Sequence, residues 1–180
     1  HFTERSYAVI VLNNDDLSSL DAPQLEFLDS LLVMNNESLS NLNMPQLQMV
    51  DSHAYLQNNG METLDLPQLE TVKGDLVLAE HPQLNELDLA EITTIGGHLR
   101  VLENNAVGEG LDEALHMEGI DHEDPDGVES NNEEENNAQA RHESLTVLAL
   151  LKLASIGGEL HVEGNGSLAE IVLPVLNNIG

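Results

Sequence analysis

The residues whose spacing most resembles a ligand set lie in one acidic stretch, DHEDPDGVESNNEEENN, at 121–137. Its carboxylates surround a glycine with the spacing of positions 3, 5 and 12 of a calcium-binding loop, where hard oxygen atoms converge on one cation. The first position of that loop is a histidine with an aspartate beside it. The pattern makes Ca²⁺ the one candidate cofactor, with Asp121, His122, Asp124, Asp126 and Glu133 as candidate ligands.

A solvated acidic loop that binds no metal is the competing interpretation of these residues. The first loop position holds His122 rather than Asp, and Glu129 stands where calcium loops usually have an apolar residue. The surrounding segment 105–142 contains 12 acidic residues and one basic residue, Arg141. Such a composition by itself favours solvation over packing. Both interpretations remain open at the level of the sequence.

No group of residues in the sequence has the pattern of a catalytic site. The sequence contains no cysteine, no phosphate-binding loop, no serine nucleophile elbow and no HExxH zinc motif. The histidines at 53, 81, 98 and 161 occupy repeat positions that hold other residues elsewhere in the chain. A carbohydrate-active β-helix would need basic residues beside its carboxylates, and the chain has few. We therefore predict that the protein is not an enzyme, and a carbohydrate-active enzyme is the weakest alternative.

The charge of the chain limits its partners. Its formal net charge is −28, from 33 acidic residues against five Lys and Arg. Nucleic acids and anionic lipid surfaces are bound through clusters of Lys and Arg, which this chain lacks. It also lacks an apolar run long enough to cross a bilayer. The sequence thus predicts neither nucleic-acid binding nor membrane insertion.

An internal repeat supplies the elements that position these residues. One marker position recurs at Asn14, Asn36, Asn58, His81, Asn104 and Asn165, so that its sequence number rises by 22, 22, 23, 23 and 61. The apolar residue that closes each unit, from Leu28 to Ile179, keeps the same period and also shows one long step. Periods of this length are typical of solenoids. We predict one solenoid domain over residues 1–180, interrupted by an acidic insertion at 105–142.

Each unit contains a short strand, a turn and a corner with Pro. Apolar residues alternate before the marker position, as at Leu31 and Val33, which indicates a strand with one buried face. One unit cannot bury its apolar side alone, so stacked units must close a continuous core. With only two Phe, two Tyr and no Trp, the layers must be aliphatic. The predicted fold class is all-β: a right-handed, leucine-rich-repeat-like β-solenoid with coils of about 22–23 residues and one acidic loop insertion.

The marker position predicts a ladder of structural asparagines. Asn tolerates left-handed turn geometry, and its side chain can hydrogen-bond neighbouring backbone inside a bend. Stacked in register, such side chains would satisfy backbone groups coil after coil. The predicted ladder consists of Asn14, Asn36, Asn58, Asn104 and Asn165.

The outward positions of the main strand are apolar in the first coils. An exposed sheet face normally alternates apolar with polar residues, so a face that is apolar on both sides indicates that something covers it. A helix of the insertion, a partner and a second copy of the chain are the alternatives. The predicted self-association face consists of Ile10, Leu12, Leu32, Met34, Leu56 and Val77.

Two long stretches resemble a known family. TVKGDLVLAEHPQLNELDLAEITTIGGHLRVLENN at 71–105 and SIGGELHVEGNGSLAEIVLPVLNNIG at 155–180 are similar to the receptor L-domain type of leucine-rich repeat. The resemblance covers 9–104 and 143–180. It implies a β-solenoid whose repeats are not catalytic. It also implies an extracellular or cell-surface location, since the family occurs in receptor ectodomains and in microbial surface proteins that bind proteins or glycans or build surfaces.

The predicted function is that of a non-catalytic extracellular or cell-surface structural protein. It would self-associate through its solenoid ends and its apolar sheet face, as a homo-oligomer or a filament. The alternative is an adhesion or recognition module that binds a protein or a glycan along the same face.

Overall fold

The computed structural model describes residues 7–104 and 145–180, which form six coils of a parallel β-solenoid. Only strands and turns, and no helix, occur in these two ranges. Strand partners lie one coil apart, as Leu31 does from Val9 and from Ala54. The sequence separation between hydrogen-bonded side chains of neighbouring coils is 22 for Asn14 and Asn36 and 23 for Asn36 and Asn59. The predicted all-β solenoid with coils of this length is confirmed.

The main sheet contributes one strand to every coil. From the first coil to the sixth, its strands are β1 (Ala8–Leu12), β4 (Ser30–Asn36), β7 (Ala54–Asn59), β10 (Leu76–Ala79), β13 (Leu99–Leu102) and β16 (Leu160–Glu163). The long step in the repeat lies between the last two, where Leu99 pairs with Leu160.

Shorter strands form the other two sides. The second sheet consists of β3 (Phe27–Leu28), β6 (Met49–Val50), β9 (Thr71–Val72), β12 (Thr94–Ile95), β15 (Ser155–Ile156) and β18 (Asn178–Ile179). The third side consists of three pairs, β2 (Ser19–Asp21) with β5 (Asn41–Asn43), β8 (Thr63–Asp65) with β11 (Glu86–Asp88), and β14 (Val147–Ala149) with β17 (Glu170–Val172).

The core is a stack of aliphatic layers inside the coils. Leu31 and Val33 of β4 are fully buried, and β10 buries Leu76 and Leu78 in the same way. Each such side chain contributes about 1.5–3 kcal/mol by leaving water. The parallel register stacks each aliphatic side chain on an aliphatic side chain of the next coil. No aromatic ring occurs among the buried hydrophobic residues of the described ranges. The low aromatic content therefore follows from a core in which every layer repeats the previous one.

At 23–25, 45–47 and 67–69, the Pro-Gln-Leu phrase forms the corner between the third side and the second sheet. In the second coil, the Leu47 N–H donates to the Met44 carbonyl at 3.1 Å and closes a four-residue turn with Pro45 at its second position. The equivalent bond in the third coil joins Leu69 to Leu66 at 3.1 Å. Proline suits this position because its fixed φ matches the turn.

The Gly-Gly phrase marks a corner where coils approach closely. A Cβ atom on Gly157 would collide with the carbonyl oxygen of Gly96 in the coil before it. Side chains at this corner would force the coils apart, because real Cβ atoms do not approach backbone so closely. The phrase is therefore a consequence of coil spacing.

The third coil departs from the predicted register by one residue. Asn59, and not Asn58, is aligned with Asn36. Leu56 consequently points into the core with no exposed surface, so its predicted place on the outward face is wrong. A shift of one residue along a strand moves every side chain to the other face. The sequence number of the marker position therefore rises by 22, 23, 22, 23 and 61 from coil to coil.

The chain divides into two units. The solenoid unit comprises His1–Val107 and His142–Gly180, and the second unit is Gly108–Arg141. Nearly all of the predicted insertion at 105–142 falls in the second unit, and the whole of it lies outside the described residues.

Candidate functional site: the outward face and its turn columns

A column of polar side chains closes the turn after each main-sheet strand, and we call it the turn column. It consists of Asn14, Asn36, Asn59, His81, Asn104 and Asn165. In the inner four coils these side chains are fully buried. Four of the five predicted ladder residues lie in the column, whereas Asn58 must be replaced by Asn59.

Each side chain of the turn column, which we call a rung, hydrogen-bonds backbone groups of the coil before it. The Asn36 side-chain amide donates to the Val11 carbonyl at 3.1 Å, and its Oδ1 accepts the backbone N–H of Asn14 at 3.1 Å. Asn104 repeats the arrangement with the Leu78 carbonyl at 3.1 Å and the His81 N–H at 3.3 Å. A rung therefore supplies one donor and one acceptor to buried backbone groups that would otherwise be unpaired.

His81 fills one rung with an imidazole instead of an amide. Its Nδ1 accepts the Asn59 N–H at 3.3 Å, and its Nε2 lies 3.1 Å from the Leu56 carbonyl, to which it donates in the neutral tautomer. Burial, which disfavours the charged ring, lowers the pKa of His81 to about 4, although the backbone carbonyls of Asn59 and Leu56 oppose the shift. The ring is a neutral substitute for asparagine at ordinary pH.

A second column, one residue earlier, holds the left-handed conformation that each turn requires. Positive φ values of 47–67° occur at Asn13, Asn35, Asn58, Glu80, Glu103 and Gly164. The Asn35 amide donates to Asn13 Oδ1 at 3.0 Å, so the first coils also have an exposed ladder. The doubled Asn-Asn at 13–14, 35–36 and 58–59 was the signal for both columns: the first Asn turns the chain, and the second is the rung, which is exposed at Asn14 and buried at Asn36 and Asn59.

A third column lies where the main-sheet strands begin. His53 Nδ1 accepts the Asp75 N–H at 3.0 Å, and Asp75 Oδ1 accepts the His98 N–H at 2.7 Å. His98 Nδ1 then accepts the Glu159 N–H at 3.1 Å. Sequence reasoning missed this column because its residues alternate between His and carboxylates, and only their ability to accept a hydrogen bond is common to them.

The outward face of the main sheet is apolar in its first two coils. Ile10 is 58% exposed and Leu12 is 42% exposed, both on β1. The neighbouring outward residues Leu32 and Met34 are half-buried. We call these four residues the apolar end of the face, and they coincide with four of the six predicted self-association residues.

The middle of the face differs from the prediction. Val77 points outward, in register with Tyr55 and Arg100, but only 1% of it is exposed. It packs with Ala79 and Leu102 in a small cluster separate from the main core, against Tyr55. Val77 therefore lies on the predicted side of the strand but is not open to a partner surface.

The polar outward residues of the later coils are Tyr55, Gln57, Arg100, His161 and Glu163, and we call them the polar end of the face. The ring of Tyr55 stacks on His53 with centroids 5.5 Å apart, and its hydroxyl donates to Asp75 Oδ2 at 3.3 Å. Burial, followed by the negative charge of Asp75, raises the pKa of Tyr55. In the sixth coil, His161 Nε2 lies 2.7 Å from Glu163 Oε2. Ionisable side chains therefore lie on the face in the third and sixth coils, with the apolar Val77 cluster between them.

The candidate calcium ligands Asp121, His122, Asp124, Asp126 and Glu133 lie outside the described residues. Within 7–104 and 145–180, no group of three or more His, Asp or Glu side chains is arranged to hold a metal ion. The same ranges contain no helix that could span a membrane. Comparison with known proteins finds no matching family model, no matching curated protein and no matching solved structure.

Proposed function

We propose that this chain is a non-catalytic structural protein whose solenoids associate with one another, and that filaments are the extended form of that association. The observation that carries the proposal is the apolar end of the outward face. Two aliphatic side chains of β1 expose about half of their surface there, beside two half-buried ones of β4. Apolar side chains grouped in this way favour a partner surface over water.

The solenoid ends extend the same proposal. Residues that belong to the core are only half-buried in the first described coil, as Val9 and Val11 are, and in the last, as Leu160 and Val162 are. A second coil stacked on either end would bury them as the inner coils bury theirs. Head-to-tail contacts generate fibres where the rotation between copies does not close a ring.

The acidity of the chain sets a condition on the association. At −28, two copies repel each other unless salt or cations screen the charge. We therefore expect association to strengthen with ionic strength. Calcium bound at 121–133 would act in the same direction, and an extracellular or cell-surface location, where calcium is abundant, completes the proposal.

Sedimentation velocity at rising protein concentration tests the association. We expect the wild type to form larger species at about 0.15 M salt and above, where screening is strong. Ile10→Ser combined with Leu12→Ser should shift that equilibrium towards monomer. The matched control is Val147→Ser, which removes a similarly exposed apolar side chain, 41% exposed, from the third side. A wild type that stays monomeric at every concentration, with and without calcium, would refute self-association.

The second candidate is a recognition module, and the polar end of the face favours it. A stacked Tyr–His pair beside a carboxylate is a surface that could contact a sugar ring or a polar side chain. The proposed kinship with the receptor L-domain type of leucine-rich repeat belongs to this candidate. It predicts saturable binding of a protein or glycan by a monomer, which Tyr55→Ala would weaken and Ile10→Ser would not.

A further inference from the structure

Every position of the turn column makes the same kinds of hydrogen bond, but one position holds a different residue type. Five rungs are asparagines, whose amides cannot change their charge, and the fourth is His81. Each rung must accept one N–H and donate to one carbonyl of the preceding coil. The neutral imidazole meets both requirements, through Nδ1 towards Asn59 and Nε2 towards Leu56.

Protonation removes this match. With both ring nitrogens carrying hydrogen, Nδ1 can no longer accept the Asn59 N–H, and two donors face each other. The Asn59 carbonyl, 3.2 Å from Nδ1, offers an alternative acceptor but leaves that N–H unpaired. The fully buried ring would also carry its charge away from water, which is costly without a partner.

Within the described ranges, no carboxylate stands ready to pair with the charged ring. The hydrogen bonds of the ring go to Leu56 and Asn59 of the third coil. The carboxylates of the adjacent turns, Glu80 and Glu103, belong to the left-handed positions, and Glu80 accepts the Gln57 amide at 3.2 Å instead. Lys73 pairs with an aspartate elsewhere.

The half-buried histidines of the third column, at the starts of the main-sheet strands, provide the contrast. His53 and His98 also use Nδ1 as an acceptor, but carboxylates of Asp75 and Glu159 lie 3.6 and 3.9 Å from those nitrogens. A carboxylate therefore lies beside each of those rings, whereas the hydrogen bonds of the His81 ring go to backbone alone.

The His81 turn also contacts both residues that flank the segment absent from the described ranges. Its backbone N–H donates to Asn104 Oδ1 at 3.3 Å, and Asn104 is the last described residue before that segment. Leu145, the first residue after it, donates its N–H to the Leu84 carbonyl of the same turn at 3.0 Å. Loss of this turn would therefore remove one hydrogen bond from Asn104 and one from Leu145.

We propose that His81 is an acid-operated latch: its protonation breaks the fourth rung, opens the turn at 81–84, and loosens the coil edges at Asn104 and Leu145. The device is independent of self-association, because every group in it is internal to one chain. It gives the turn column one rung that acid can charge, whereas the other five rungs are amides.

The sign and size of the effect follow from linkage. The folded-state pKa lies near 4, below the ordinary value of 6.5, so the unfolded chain binds the extra proton first. The contribution of His81 is complete above pH 6.5 and is lost as pH falls towards 4. The unfolding equilibrium constant should rise by about 30-fold at pH 5 and by about 160-fold at pH 4, towards a limit of about 300-fold at lower pH.

Urea unfolding of the full chain and of His81→Asn, at concentrations where both are monomeric, isolates this effect. The carboxylates titrate in both proteins, so the ratio of their unfolding constants reports His81 alone. We expect the wild type to weaken against the variant between pH 7 and 4, and His161→Asn to follow the wild type. Superimposable pH profiles of wild type and His81→Asn would overturn the proposal.

Nuclear magnetic resonance of the wild-type imidazole nitrogens keeps the test independent of the variant's folding. At pH 5.5, we expect His81 to remain the neutral Nε2–H tautomer. Hydrogen exchange between pH 6.5 and 4.5 should accelerate at the amides of residues 81, 83, 84, 104 and 145 before it does so in the first two coils. A ring that is charged at pH 6 in the folded protein, or uniform acceleration along the chain, would contradict a local latch.

Discussion

At the scale of single residues, the solenoid is governed by two adjacent positions that have opposite requirements. The first must adopt positive φ at the surface, and the second must place a donor and an acceptor in the interior. Asparagine satisfies both, which is why Asn-Asn occurs at this place in each of the first three coils. Later coils separate the two tasks, with Glu80 or Glu103 in the first position and His81 or Asn104 in the second.

Glu103→Asn should stabilise the protein. Glu103 holds a φ of 50°, a conformation that costs an ordinary residue about 1 kcal/mol more than Asn or Gly. We expect the free energy of unfolding, measured by urea titration, to rise by about 0.5–1 kcal/mol. Glu103→Gln is the matched control, since it removes the same charge without favouring the left-handed region. Equal gains from both variants would attribute the effect to charge alone.

At the scale of the coil, the sequence predicts the strand, the turn and the Pro corner but leaves the register of one strand ambiguous. HAYLQNN at 53–59 offers two alternations, and the choice of Asn58 as the marker places His53 and Tyr55 inside. The fold instead buries Ala54 and Leu56 and leaves the tyrosine, with its polar hydroxyl, at the surface. In this register the Asn59 side chain makes buried hydrogen bonds to the Val33 carbonyl and to the Asn36 amide.

Two amide deletions test that register. Asn59→Ala leaves the Val33 carbonyl, which now accepts the side-chain amide at 2.8 Å, without its buried partner. We expect a loss of about 1–3 kcal/mol in the free energy of unfolding. Asn58→Gly preserves the positive φ and gives up one exposed contact, so its effect should stay within about 0.5 kcal/mol. The reverse ranking would restore the register first predicted.

The direction in which each strand residue points could be predicted from the sequence, but what covers the outward face could not. The outward position of Ile10 and Leu12 follows from strand alternation alone. The burial of Val77 does not, because it depends on which side chains cover the face and not on the direction in which Val77 points. The His–carboxylate column at the strand starts was equally hidden, since a hydrogen-bond acceptor can be an imidazole or a carboxylate.

At the scale of the whole molecule, the repeat places like charges next to one another, and their repulsion destabilises the fold. Stacking coils about 4.8 Å apart also stacks their carboxylates, as in Asp65 and Asp88, which are aligned on the third side. Few cations are present to offset them: Lys73 pairs with Asp51 and Lys152 with Glu91, each at 2.6 Å and each largely exposed. Self-repulsion therefore opposes a core that is otherwise regular.

Salt should consequently stabilise this protein. Raising NaCl from about 10 mM to about 0.5 M shortens the Debye length from roughly 30 Å to about 4 Å, so repulsion between coils falls. We expect Tm to rise by several degrees, measured by calorimetry at a concentration where the protein is monomeric. Sucrose at equal osmolality is the control for non-ionic stabilisation, and a Tm that is insensitive to NaCl would contradict a repulsion-limited fold.

The same measurement separates screening from a calcium site. At matched ionic strength, a diffuse acidic surface responds to CaCl₂ and MgCl₂ alike, whereas converging ligands at 121–133 would favour the larger cation, which accepts six to eight oxygens in flexible geometry. A site predicts a saturable rise in Tm at low CaCl₂ that Glu133→Gln reduces, because this residue stands at the bidentate position. Equal responses to both cations would leave 121–133 a solvated loop, and the outward face would then have to drive association without calcium.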